Sequence, residues 1–173
     1  MCARPTTFAK KQTMITAENL IAMYARNLAV IKELTSDLTH EESLLQPPVP
    51  GNCINWVIGH IAIYRNNRQL KILGQPLVLD ENLFSRYGRD SAPITQDGPD
   101  VVKLAVLLNA LDVAQERLTA GLHSLSPEQA QTLHAIAQFN MSAAEWALFL
   151  LRHEAMHTGN LDILRECVLQ ARA

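Results

Sequence analysis

His153, Glu154, Ala155, Met156 and His157 spell H-E-x-x-H. Two histidines four apart on a helix share a face, one turn apart. Their imidazoles can therefore converge on one cation about 2 Å from each nitrogen. The same run is the signature of zinc proteases, where the glutamate serves as general base. Which chemistry applies depends on the third ligand. A protease of that kind takes it from beyond the motif, and the metzincin form needs a further histidine after Gly159, which this chain lacks. Glu166 is the one glutamate that follows. Nine residues turn it by about 900°, to the opposite face of the same helix. The protease reading also needs a sheet edge for the substrate, and no segment shows convincing strand alternation.

His60 is the better third donor, since facing helices of a bundle build metal sites from inward-pointing side chains. Three histidines, His60, His153 and His157, would leave a coordination position open, the mark of a catalytic rather than a structural site. The plainer alternative leaves the pair as core histidines hydrogen-bonded to buried amides such as Asn55 or Asn67.

The elements that must position these residues are helices. Leu20, Ile21, Tyr24, Leu28, Ile31, Leu34 and Leu38 lie on one stripe of a first helix from about Thr16, its N-cap, to Leu38. "QPPVPGN" (Gln46 to Asn52) breaks it, and Asn52 is placed to cap a second helix that ends at Gly74, ahead of Pro76. A long connection from Gln75 to Pro99 follows; connections of that length are often functional. A third helix starts near Asp100 with a stripe running from Val101 to Leu122. "SPEQ" (Ser126 to Gln129) starts a short extra helix, and "SAAE" (Ser142 to Glu145) opens the last, Ala143 to about Gln170. The expected fold is all-α: an antiparallel four-helix bundle with one long crossover and a short extra helix. Residues 1–13 read as a flexible tail and 14–173 as one domain.

The bulk properties narrow the function. Hydrophobic residues make up 48% and charged ones 18%, a globular balance. Net charge is -2 with both signs interspersed, which disfavours nucleic acid as a partner. No apolar run is long enough to span a membrane. Cys2, Cys53 and Cys167 are widely spaced and odd in number, as in a reducing compartment, and a cytoplasmic location is expected.

"NWVIGH" (Asn55 to His60), with "HEAMHTGN" (His153 to Asn160) far downstream, resembles the paired motifs of the DinB-like (DNA-damage-inducible) superfamily. That family shows W-x-x-G-H in the second helix and H-x-x-x-H-x-G-Q in the fourth. The resemblance covers about Met14 to Arg172, with Asn160 where the family has Gln. It implies a four-helix bundle, a metal triad at His60, His153 and His157, and often a homodimer. Relatives include bacillithiol-dependent S-transferases, mycothiol-dependent isomerases and metal-dependent hydrolases. A metal-dependent enzyme is thus expected, with zinc or nickel activating a low-molecular-weight thiol or water for a small-molecule substrate. The alternative is a non-catalytic metal- or small-molecule-binding bundle of the stress response.

Other residues carry weaker expectations. Glu154 is the candidate general base, against a solvated or arginine-paired carboxylate. Asn67 and Asn160 are candidates to orient a ligand ring. Cys53, at a helix start, has either a lowered thiol pKa or an inert buried thiol. Trp56, Tyr64 and Trp146 read as core or pocket wall. Arg86 and Arg89 could hold an acidic cosubstrate. His40, His123 and His134 are assigned no role.

Overall fold

The structure is a computed structural model that describes residues 15–172. The expected N-terminal tail, residues 1–13, lies outside the described residues. The described chain is mostly helical. Helix α1 spans Ala17–Thr35; α2 spans Ile54–Tyr64 and continues as a π-helical turn, Arg65–Leu70. Helix α3 spans Leu104–Ser124 and α4 spans Ala143–Ala171. Single turns occur at His40–Ser43, Phe84–Tyr87 and Pro127–Ala130.

Three of the expected caps form as full capping boxes: Thr16 with Asn19, Ser126 with Gln129, and Ser142 with Glu145. A fourth, Thr39 with Glu42, caps the turn after α1, so that helix ends at Thr35 rather than Leu38. Helix α2 is capped at Cys53, not Asn52, and without a side-chain bond. Helix α3 begins at Leu104, four residues past the expected Asp100.

The strand-free expectation fails at one place. Leu133–Ile136 (β1) and Phe139–Ser142 (β2) form an antiparallel hairpin just before α4. Its two-residue turn puts Ala137 at φ 53. The carbonyl of His134 accepts from Trp146 Nε1 (2.9 Å), so the hairpin is tied to the start of α4.

Helix α1 packs on α3 and α4, and α2 packs on α3 and α4. Their senses follow from paired contacts. The Tyr24 hydroxyl donates to the carbonyl of Ala147, and Arg165 donates to that of Leu34, so α1 and α4 run the same way. Asn55 donates to the carbonyl of Val102 and Arg65 to Gln115, so α2 and α3 also run the same way. The expected antiparallel order therefore breaks between the second and third long helices. The crossover makes the reversal possible by running back along α2. Asn66 and Asn67 bond the carbonyls of Leu79 and Glu81, His60 meets Tyr87, Trp56 meets Ser91, and Asn55 meets Val102. The crossover thus forms one wall behind α2.

The main apolar cluster gathers Ile31, Ile58, Ile61, Leu107, Leu111 and Leu161, all almost wholly buried. It locks α2 between its neighbours and so fixes where His60 stands. No helix among the described residues is long and apolar enough to cross a membrane.

Candidate metal centre

His60, His153 and His157 come together, each offering a ring nitrogen within 4.8 Å of the others. Helix α2 supplies the first and α4 the other two, one turn apart. His60 is only 3% exposed. It stacks on Trp56, one turn earlier, with ring centroids 4.6 Å apart, and leans on Tyr64, one turn later.

The tautomer of His60 follows from its partner. Nδ1 lies 2.7 Å from the carbonyl of Tyr87, which can only accept. Nδ1 therefore carries the proton and Nε2 presents a lone pair to the site. Nε2 faces Nε2 of His153 at 3.2 Å. Nitrogens about 2.0–2.1 Å from a tetrahedral ion stand about 3.3 Å apart, so this pair already has the spacing of two ligands of one cation. Burial holds the imidazole of His60 down at about 3, against the opposing pull of the Tyr87 carbonyl. Burial, with His157 and Arg152 adding to it, brings His153 to about 4, and burial also lowers His157. Burial thus favours the neutral form of all three rings, the form that binds metal.

Gly59 explains how the Tyr87 carbonyl gets so close. A Cβ there would overlap the Tyr87 ring, which is buried against α2. The Tyr87 hydroxyl donates to Asn55 and accepts from the Val102 amide, which fixes the residue at its other end. Gly59→Ala should push the ring away and drag the carbonyl off Nδ1. We expect a stability loss of about 1–3 kcal/mol from overpacking and a fall in metal affinity of about 10–100-fold from the lost orienting bond. Denaturant titration and metal competition read the two effects; a variant normal in both would mean that Tyr87 does not hold the ring.

Glu154 does not face the imidazoles. It is 3% exposed and takes Arg65 in a two-pronged pair, Nε to Oε2 at 2.6 Å and Nη2 to Oε1 at 2.7 Å. The arginine-paired alternative for this glutamate is the one the geometry supports. Asn67 is equally committed, bonding Glu81 and Asn66, and Asn55 serves Val102 and Tyr87, so neither touches a histidine. Asn160 is exposed and lies beside the site. Cys53 is wholly buried, and burial pushes its thiol up rather than down. Arg86 turns inward to the carbonyl of Ala92 and faces Asp100. Arg89 is exposed at the rim, beside Asp90. Trp146 packs with Phe149 and Ile72, away from the triad. His40 does have a role, accepting from the Leu104 amide at the start of α3 and pairing with Asp97.

The triad opens on a cleft of about 450 Å³ whose far wall is Arg89, Asp90 and Ser91 of the crossover. Asp90 holds φ 66, and Ser91 accepts from Trp56 Nε1 at 2.8 Å. A larger cavity, about 650 Å³, lies elsewhere, between the end of α1 and the start of α3. Its lysines, Lys32 and Lys103, are paired with Asp112 and Asp97. The crossover's contribution had one sequence signal: a glycine inside a helix, Gly59, which marks a close approach by a neighbour.

The comparisons with known proteins agree with this picture. A family model described as the DinB superfamily matches residues 20–161. A solved structure, titled a conserved protein of locus from Enterococcus faecalis, superposes with a TM-score of 0.70 at 17% identity. It covers 91% of this chain and 99% of its own, a likeness of fold. No curated protein matches.

Proposed function

This chain belongs to the DinB superfamily, and we propose that its long helices are that family's four-helix bundle, built around a single-metal enzyme site. His60, His153 and His157 hold one divalent ion, zinc or nickel, both of which suit imidazole. Such an ion, kept at its full charge by three neutral ligands, supplies Lewis-acid chemistry that lowers the pKa of a water or a low-molecular-weight thiol. The observation that carries this reading is the convergence of three neutral imidazoles on an open cleft.

The chain's own residues do the rest. The Tyr87 carbonyl fixes the tautomer of His60, and the Trp56 ring holds its plane. Burial favours the neutral imidazole at all three positions, which leaves each ring a lone pair to offer. The cleft leaves one side of the triad open to a small molecule. Glu154 takes no proton in this reading, because Arg65 occupies both its oxygens.

Metal-stripped protein reloaded with zinc or nickel should take up about one ion per chain. Only then should it speed the attack of a low-molecular-weight thiol on an alkylating electrophile, or the hydrolysis of an activated ester. A chelator should abolish the activity. One ion bound with no turnover in either assay would replace the enzyme by a metal-binding module.

A further inference from the structure

The triad cleft does not end at the triad. A second cavity, about 370 Å³, adjoins it and shares Asn52, Trp56 and His157 as lining. Its outer walls are the Pro47–Gly51 loop on one side and Ile163 and Leu164 of α4 on the other. No charged side chain lines it. Val49 is 65% exposed and Ile163 68%, so two large apolar side chains stand open to solvent there. The loop contains Pro47, Pro48 and Pro50, whose fixed φ angles make its wall stiff before anything binds. The first cavity differs: its far wall carries Arg89 and Asp90. The two compartments meet at His157.

We propose that the site takes a substrate with a polar reactive head at the imidazoles and a neutral apolar arm, several carbons long, in the second cavity. The proposal rests on the metal reading above. Charge complementarity sets the arm's chemistry: the second cavity has no charged partner for an anionic or cationic arm, its polar lining beside His157 is the two amides Asn52 and Asn160, and apolar surface leaving water is rewarded against the rest. Continuity through Trp56 and His157 sets its geometry, because among the described residues a head placed at the triad has an uncharged, largely apolar exit toward Val49 and Ile163. The arm is therefore what distinguishes preferred substrates from small polar ones.

The test uses zinc-loaded protein and a series of straight-chain hydroxamates from acetyl to octanoyl. The hydroxamate group is the zinc-binding head and the chain is the arm. Affinity is read by calorimetry and by tryptophan fluorescence. We expect it to rise about four-fold per methylene until the cavity is filled. Ile163→Asp and Val49→Asp, both at solvent-exposed positions, should flatten the series, while Val106→Asp, exposed on α3, should not. Acetohydroxamate binding with no gain along the wild-type series overturns the arm and leaves the metal reading intact. A gain that survives both cavity variants also overturns it. Protein that binds neither zinc nor acetohydroxamate overturns the metal reading and this inference together.

Discussion

His60→Ala should lower divalent-metal affinity by more than about 100-fold. Losing a group that only orients a ligand costs about 10–100-fold, and His60 is itself one of the three proposed donors. It is also the least replaceable of them. His153 and His157 are half-buried and share α4, so either can shift with its own helix turn. His60 is buried, stacked on Trp56 and anchored to Tyr87. Without it, one pair of imidazoles on a single helix is left with no donor from α2. Elemental analysis of wild type and variant side by side, followed by competition with a chromophoric chelator, reads the loss. His157→Ala removes a half-buried donor without opening the core, and it should lose the metal too. Full metal content in His60→Ala would sink the triad and return the site to the H-E-x-x-H helix alone.

The parts of this site that were legible in the sequence are those with a side-chain signature. The i, i+4 pair fixes His153 and His157 on one face whatever the surroundings. The stripe of the second helix puts His60 inward, and the capping boxes at Thr16, Ser126 and Ser142 mark helix starts by local chemistry alone. What the sequence hid has no such signature. The Tyr87 carbonyl is a backbone atom, brought to His60 only because the crossover runs back along α2. The reversed sense of α3 depends on the path of that crossover, which the helical periodicity on either side does not encode. The hairpin at 133–142 turns through Ala137 and Gln138, without the Asn-Gly or Asp-Gly pair that announces such turns. The π-helical turn at Arg65–Leu70 has the same residue spacing as an α-helix to the eye, yet it buries Arg65, Asn66, Asn67 and Gln69 together. Glu154 is the sharpest case. Its place beside His153 suggested a catalytic base, but one residue along a helix is about 100° of rotation, enough to aim it at a different partner.

That partner gives the second large effect: Glu154→Ala should cost about 3–5 kcal/mol of stability. The Arg65 side chain is 2% exposed and that of Glu154 4%, so removing the carboxylate strands a guanidinium away from water. Arg65 also donates to the Tyr24 carbonyl on α1 and to Gln115 on α3. One side chain, at the start of the π-helical turn that continues α2, thus touches each of the other three long helices, and its failure should loosen all of them at once. For a chain of this size the loss corresponds to a fall in melting temperature of roughly 6–20 °C. Replacing the pair together, Arg65→Met with Glu154→Leu, should recover much of it, because an apolar pair of similar volume avoids the desolvation of two ions. Thermal melts of Arg65→Met, Glu154→Leu and the double close the cycle, with metal-dependent turnover measured on the surviving folded protein. A general base would give the opposite pattern: Glu154→Ala folded and stable but slow, and the double no better than the single. Recovery of stability in the double, with turnover per bound metal close to wild type, would fix Glu154 as the strut that sets α4 against α2 and so holds His153 opposite His60.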